Sequence, residues 1–421
     1  MPRVALHTLG CKVNQYETQM IAEEFRARGF DLVDFSGEAD IYVINTCTVT
    51  STADSKSRQA ARAAMHRNPD AKVVLTGCYA ETSEEQLARM DGISLVLGNQ
   101  YKDRLVDEVV KRLFPEISAH SSLITHHESV VQGRTRALVK IQDGCDQFCA
   151  YCAVPLARSV MMSRAMDDVL AETKGLAERG FKEVVLTGIR LGRYEHGIVQ
   201  LVRAIAGIEG IERIRLSSIE LTDIPDGLLE LMASNEKVCR HLHLPLQSGH
   251  DEVLSRMNRP YTTAEFESFV SKARSLIPEI GITTDIMVGF PGETEEQFQG
   301  TCEFVERIGF SRAHIFPFSP RPGTAASEMN NDIFPVEMSD RKARLAELTA
   351  GTMRQFAEGL VGKTVMVLVE GKQIRPNIWS GLTDNYVRVA FFRGSSHAGE
   401  IVRVTIHSAR DGGAQGKMAD G

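Results

Sequence analysis

The sequence predicts an α/β protein in three parts: an N-terminal open parallel α/β domain, a central partial βα barrel and a small C-terminal antiparallel β barrel. Three observations carry this reading. Short β-branched and leucine-rich runs such as "IYVINT" and "KVVLTG" alternate with helical patterns in the first part, as buried parallel strands with crossover helices do. The same alternation returns at longer spacing from Ala137 onward, which extends the βα pattern through the middle of the chain. Near the end the texture changes to "TVMVLVEG", "NYVRVAFF" and "EIVRVTIH", separated by Gly, Pro, Asn and Ser. Such short, turn-bounded strands suit a small barrel.

Taken in order, the N-terminal domain covers residues 1–114, with strands at "RVALHTLG", "IYVINT" and "KVVLTG" and helices over 15–28 and 55–67. Residues 115–136 read as a polar linker, in which His120, His126 and His127 suit a solvated segment better than a metal site. The central domain, 137–338, has strands over 137–142, 183–187, 213–218, 241–246, 283–289 and 313–318, with helices such as 167–179 and 263–276. Six parallel strands suit an incomplete βα barrel, although an open doubly wound sheet gives nearly the same pattern. A helical connector, 339–360, leads to the C-terminal barrel at 361–407. The tail 408–421, "SARDGGAQGKMADG", is small and polar and reads as disordered.

Bulk properties narrow the function. A chain of 421 residues, 43% hydrophobic, is long enough for roughly three domains with buried cores. It opens without a basic region followed by an apolar run, so no signal peptide is expected. No window approaches ~18 apolar residues, so no membrane span is expected either. The expected location is therefore cytoplasmic, where clustered cysteines are metal ligands or catalysts more often than disulfides. The net charge is −7, from 48 basic and 55 acidic residues, so any nucleic acid must be held by local basic patches.

The cysteines fall into two sets. Cys11, Cys47 and Cys78 each follow a strand and precede a helix. Working residues in α/β sheets sit beyond the carboxyl ends of strands. Three such placements after three consecutive strands favour a shared site over three thiols packed as small apolar residues. Cys145, Cys149 and Cys152 follow another strand with spacing C-x₃-C-x₂-C, in "IQDGCDQFCAYCAVP". Structural zinc sites close with four ligands, and no second C-x₂-C accompanies this triplet. Iron–sulfur clusters take thiolates in closely spaced runs, and three cysteines on a four-iron cluster leave one iron open. Cys239 and Cys302 stand alone and read as core residues.

C-x₃-C-x₂-C with an aromatic residue, Tyr151, before the last cysteine is the radical S-adenosylmethionine signature. Together with the three N-terminal cysteines it makes the chain resemble the methylthiotransferases, from about Arg3 to His407. "TLGCKVNQYET", "VINTCTVT", "LTGCYA", "HLHLPLQSG", "TTDIMVGFPGET" and "FPFSPRPGT" carry the resemblance. "GCKVNQYET" and "IQDGCDQFCAYC" are most similar to the branch that modifies threonylcarbamoyladenosine beside the tRNA anticodon. The alternatives are the branches acting on isopentenyl adenosine or on a ribosomal protein side chain, and, outside enzymes, a metal-stabilised RNA-binding scaffold. The sequence departs from the family after the signature, with Leu156, Ser159 and "MMSR" at 161–164, and "GIRLGRYEHG" is more charged than its counterpart.

The resemblance implies two 4Fe–4S clusters, one on Cys145, Cys149 and Cys152, the other on Cys11, Cys47 and Cys78. It implies S-adenosylmethionine as both radical source and methyl donor, near Thr187 and Gly188 at one strand end and Gly289 and Gly292 at another. Glycine turns after strands are common in any α/β protein, so these four are weaker signals than the cysteines. No catalytic residue is assigned beyond the cluster ligands. Ser218, Glu220, His243 and Gln247 also fall near strand ends, where a structural hydrogen bond is at least as good an explanation as catalysis. The last barrel resembles a TRAM domain, an RNA-binding module. Over 361–407, Lys363, Lys372, Arg375, Arg388, Arg393 and Arg403 face Glu370, Asp384 and Glu400, a net of +3, the sign that phosphate requires. Trp379, Tyr386 and Phe392 are candidates for stacking on bases, though small barrels more often use aromatics as core. Expected partners are the tRNA anticodon region, a reduced electron donor such as a flavodoxin or ferredoxin, and a sulfur donor. A monomer with no membrane contact is expected.

Overall fold

The structure, a computed structural model, describes residues 2–115, 135–371, 377–392, 397–410 and 412–419. It falls into two units. One comprises Met1–Val131, Asp143–Met162 and Ser319–Ser327, the other Gln132–Gln142, Ser163–Phe318 and Glu328–Gly421. The expected linker histidines, His120, His126 and His127, lie outside the described residues.

The first unit begins β1 (Arg3–Thr8), α1 (Lys12–Ala27), β2 (Asp31–Val33), β3 (Ile41–Thr46), α2 (Ser51–Arg67) and β4 (Lys72–Gly77). It continues α3 (Cys78–Thr82), α4 (Glu84–Ala88), β5 (Ile93–Leu97) and α5 (Leu105–Leu113). The strands pair in parallel in the order β2-β1-β3-β4-β5. β3 is buried at every position, which explains its uninterrupted apolar run: both faces are covered. On one face Ile41, Val43 and Val74 pack with Phe25 of α1 and with Leu105, Val106 and Val109 of α5. On the other, Tyr42, Ile44, Val73 and Leu75 pack with Ala61 and Ala64 of α2. Each fully buried aliphatic side chain of this kind contributes about 1.5–3 kcal/mol. Thr50 caps α2 by accepting the Ala53 N–H.

The remaining elements are β6 (Arg136–Asp143), α6 (Val154–Ala157, in the first unit), β7 (Met162–Ser163), α7 (Met166–Glu178), β8 (Glu183–Gly188), α8 (Ile198–Ala206) and β9 (Arg213–Leu216). They are followed by α9 (Leu228–Ser234), β10 (His241–His243), α10 (Asp251–Arg256), α11 (Thr263–Leu276), β11 (Gly281–Val288), α12 (Glu295–Ile308), β12 (Arg312–Pro317) and α13 (Pro335–Glu358). Two ladders form, β7-β6-β8-β9 and β10-β11-β12. Only isolated bridges, Ile214 with Val238 and Ser218 with His243, join them. The barrel wall therefore continues, loosely bridged, from β9 to β10, and among the described residues no pairing joins the outer strands β7 and β12, where it stays open. Val184, Ile214, Leu242, Ile282 and Ile286 pack outward into one core with Leu176, Leu201, Phe266 and Phe304 of the surrounding helices. Strand alternation turns the intervening polar residues to the other face. There Glu183 meets Arg215, and His241 meets Thr283. Capping boxes, Thr262 with Glu265 and Thr294 with Gln297, start α11 and α12.

The last strands are β13 (Thr364–Val369), β14 (Ile378–Thr383), β15 (Arg388–Phe392), β16 (Ile401–Arg410) and β17 (Gly413–Met418), closed in the order β13-β14-β15-β17-β16. This corrects the expectation of a disordered tail over 408–421. Residues 408–410 complete β16, and 413–418 form the strand that closes the barrel. Its small residues are what closure needs. A Cβ on Gly416 would lie 2.4 Å from Val404 Cγ1 and 2.6 Å from the Thr405 carbonyl oxygen.

Within the second unit the barrel is fastened to β9 and to the start of β10. Arg213 donates to the carbonyls of Leu382 and Met366 at 3.0 and 2.6 Å. Arg215 donates to those of Asp384 and Thr383 at 2.9 and 3.0 Å. Arg240 pairs with Asp384 at 2.7 Å. Tyr386 stacks on His241 at 4.5 Å, with the Arg215 guanidinium over its ring. It is a packing residue, which removes it from the stacking candidates.

Candidate functional site

The strand-end rule brings Cys11, Cys47 and Cys78 to one edge of the N-terminal sheet. Cys11 caps α1, Cys47 follows β3, and Cys78 begins α3 directly after β4. Two glycines make the convergence possible. Gly10 and Gly77 precede Cys11 and Cys78, with φ of 101° and 97°, conformations that disfavour any side chain. A Cβ on Gly10 would stand 2.9 Å from the Cys47 sulfur. One on Gly77 would stand 2.4 Å from the Thr46 carbonyl oxygen. Asn14 ties the strand ends together, donating to the carbonyls of Leu9 and Thr46 at 2.8 and 2.9 Å. Burial pushes the Cys47 thiol up to about 12, so loading this site with a thiolate-bound metal must expel a proton.

Cys145, Cys149 and Cys152 belong to the same unit, in the loop after β6. The Gln147 N–H points at the Cys145 sulfur at 3.4 Å. Gly144 has φ of 82°, and a Cβ there would lie 2.0 Å from the Val160 carbonyl oxygen, so the two ends of the loop touch. The Cys145 N–H donates to the Arg158 carbonyl at 3.0 Å. Arg158 is the residue that sequence reasoning passed over. Its side chain is almost wholly buried and every donor group is used. Nη1 meets Glu17 and Asp143 at 2.8 Å, Nη2 meets Asn14 at 3.0 Å and Glu17 at 2.9 Å, and Nε meets the Cys78 sulfur at 3.3 Å. Burial works against this charge, but Glu17, Cys78 and Asp143 outweigh it and hold the guanidinium firmly protonated. Lys102 completes the network, donating to Glu17 and Asn45 at 2.8 and 2.7 Å.

The donor chemistry suits clusters. Six thiols form two sets of three, and N–H groups are directed at two of the sulfurs. In "FSPRPGT", Arg321 donates to Thr48 at 3.0 Å and pairs with Asp54, pinning the chain that leaves Cys47. Cys239 and Cys302 are buried.

The other sequence candidates lie in the second unit. Thr187 and Gly188 end β8, where Gly188 lies against the Gln142 side chain. Gly289 has its own structural cause. A Cβ there would lie 2.5 Å from Met338 Cγ, and its N–H donates to Glu293, which pairs with Arg341 at 2.9 Å. Gly292 adopts φ of 72°. Glu220 pairs with Arg259, and Gln247, beyond β10, bridges to Ile286 of β11; Ser218 bridges to His243. His243 contacts Asp285 at 3.2 Å and Thr283 at 2.9 Å. In "GIRLGRYEHG", Arg190 pairs with Asp223 at 2.6 Å, while Arg193, Glu195 and His196 are exposed. Ser159 and Leu156 are exposed. In the C-terminal barrel Lys363 pairs with Glu279 and Arg388 with Glu370, while Lys372, Arg375 and Arg393 lie outside the described residues. Trp379 is half-buried against the core and Phe392 is exposed.

Gly77→Ala tests the sheet-edge geometry. With backbone, not a flexible side chain, in the way, the turn must shift and separate Cys78 from Cys47. The expected outcome is loss of about half the bound iron after anaerobic reconstitution, with reductive S-adenosylmethionine cleavage retained. Full iron content in this variant would contradict the reading.

Three family models match along the chain: uncharacterized protein family UPF0004 over residues 3–98, the radical SAM superfamily over 139–305 and the TRAM domain over 359–419. A threonylcarbamoyladenosine tRNA methylthiotransferase of Bacillus subtilis (strain 168) is 38% identical over 427 residues, covering 97% of this chain and 94% of its own. A tRNA-2-methylthio-N(6)-dimethylallyladenosine synthase of Cereibacter sphaeroides is 34% identical over 421 residues, covering 96% and 95%. In fold alone, the chain is similar to the radical S-adenosylmethionine methyltransferase TsrM from Kitasatospora setae. That structure, solved with cobalamin and a [4Fe-4S] cluster bound, gives a TM-score of 0.57 at 16% identity, over 90% of this chain and 81% of that one.

Proposed function

We propose that this chain, which belongs to the radical S-adenosylmethionine methylthiotransferase family on its threonylcarbamoyladenosine branch, adds a methylthio group to that base in tRNA with the help of two iron–sulfur clusters. The observation that carries the two-cluster reading is the gathering of six thiols in one unit, as two sets of three. One set sits at three successive strand ends and the other in the loop after β6. Cys145, Cys149 and Cys152 would hold the cluster that S-adenosylmethionine approaches; Cys11, Cys47 and Cys78 would hold the second. When bound, the two clusters supply reductive cleavage of the sulfonium and the sulfur to be transferred, chemistry no side chain offers.

The protein's own share is positioning. Within the second unit, the Thr187–Gly188 strand end and the turn 288–293, braced by Glu293 and Arg341, are the backbone segments we assign to S-adenosylmethionine. Asn14 and Gly10 fix the sulfur positions of the second set. The closed barrel β13–β17, matched by the TRAM domain, supplies tRNA contact, with Arg403 among its exposed cations. Nucleoside mass spectrometry on tRNA from a deletion strain tests the function: the methylthio form of threonylcarbamoyladenosine should vanish and its unmodified precursor accumulate.

The reacting carbon lies on a purine edge, so the base must leave its stack or already be splayed in a loop. An anticodon stem-loop carrying threonylcarbamoyladenosine is therefore expected to be methylthiolated, and the same strand annealed into a duplex to be inert. Equal turnover of the two forms would count against recognition of a splayed base.

A further inference from the structure

We propose that Arg158 is a positioning residue that sets the reduction potential of the iron–sulfur centre on Cys11, Cys47 and Cys78, by donating a buried, charged N–H to the Cys78 sulfur. The inference rests on the two-cluster reading. Arg158 lies six positions after Cys152 in the sequence, yet its Nε reaches the sulfur of a cysteine eighty residues earlier, at 3.3 Å. Its own carbonyl accepts the N–H of Cys145. One residue thus touches the backbone of the first thiol set and a sulfur of the second.

Packing alone does not explain the choice of residue. Glu17 and Asp143 already face Lys102 and the Arg158 Nη groups, so charge balance is met without the contact to sulfur. The guanidinium is planar, and gripping Glu17 through both Nη1 and Nη2 leaves the Nε edge with one direction to point. That direction is Cys78. Hydrogen bonds to cluster sulfurs, net charge and solvent exposure set the potential of such centres. A buried cation and an N–H both stabilise the reduced, more negative state, and hence raise the potential. Asn99 Nδ2 stands 3.8 Å from the same sulfur, a longer and uncharged contact that cannot replace the first.

The test uses the full-length chain carrying Cys145→Ala, Cys149→Ala and Cys152→Ala, reconstituted anaerobically so that only the second centre reports. Midpoints are measured by redox titration followed by electron paramagnetic resonance. Arg158→Gln is expected to change the oxidised-to-reduced ratio at fixed potential about tenfold toward oxidised, a fall of about 59 mV for a one-electron couple. Arg158→Lys, which keeps the charge beside Glu17 and Asp143 but loses the planar Nε–H, is expected to shift the ratio in the same direction by less. It also decides the matter if the Gln variant does not load iron. A loaded variant whose midpoint equals that of the parent overturns the proposal. A parent that binds no cluster on its three remaining cysteines overturns the two-cluster reading instead.

Discussion

Cys145→Ala is expected to abolish reductive cleavage of S-adenosylmethionine, while Cys47→Ala keeps that cleavage and makes no methylthio product. The two effects separate because the two thiol sets depend on different backbone. Cys145 is held by the Gln147 N–H at its sulfur and by its own N–H to the Arg158 carbonyl, contacts internal to the loop after β6. Cys47 is held at the sheet edge, its sulfur against Gly10 and the following chain pinned by Arg321 to Thr48 and Asp54. Alanine at Cys47 removes one sulfur from the sheet-edge set and leaves the contacts of the 145–152 loop in place. Each variant should lose about half the iron. The assays are 5′-deoxyadenosine release under reduction without RNA, and methylthio product by mass spectrometry. Transfer of sulfur by Cys47→Ala at the parent rate would end the proposed division of labour.

Much of this site was legible in the sequence because it follows from topology. A cysteine placed directly after a buried parallel strand must emerge at the carboxyl edge of the sheet, whatever the details of packing, so Cys11, Cys47 and Cys78 could be grouped from strand patterns alone. The same reasoning located Thr187 and Gly289, but did not reveal that the N–H of Gly289 is already donated to Glu293. The Arg158 network was illegible for a different reason. Its members, Asn14, Glu17, Lys102, Asp143 and Arg158, come from four segments with no common spacing, and only tertiary contact shows that they share one buried cluster of charge. A signal was present in the form of an arginine directly after the apolar "VPLA" turn that follows the cysteines. In the charged "GIRLGRYEHG", tertiary contact likewise shows what the sequence does not, that Arg190 pairs with Asp223. The tail was misread because composition cannot distinguish small residues that lack a core from small residues that let a tight barrel close, as Gly416 does against Val404.

Arg215→Met should destabilise the protein by about 3–5 kcal/mol, the usual consequence of removing one partner of a buried ion pair. Glu183 is fully buried and bonded to Arg215 at 2.7 Å. Of the other cations that act on it, Arg213 stands at 3.7 Å. Burial raises the Glu183 carboxyl pKa, but Arg215, Arg213 and Arg136 outweigh it and leave the group below its ordinary value. A depressed carboxylate stabilises the folded state fully above its unfolded pKa, and that contribution is lost as pH falls through the lower folded one. The destabilisation by Arg215→Met is therefore expected to be larger near neutral pH than in strong acid. The double variant Glu183→Leu/Arg215→Met removes the stranded charge and should recover part of the loss in denaturant titrations; a double-variant loss equal to the sum of the two single-variant losses would show the pair to be uncoupled. The same residues govern what truncation of the last barrel does. Cutting after residue 360 takes from Arg213 and Arg215 the four carbonyls of Met366, Leu382, Thr383 and Asp384, and from Arg240 the nearer of its two carboxylates. A truncated chain should therefore unfold at lower denaturant as well as bind tRNA less tightly. The contribution of the barrel to RNA affinity is better read from an exposed cation: Arg403→Gln should lower the salt slope of tRNA binding, because one fewer phosphate is neutralised, while leaving the denaturation midpoint where it was.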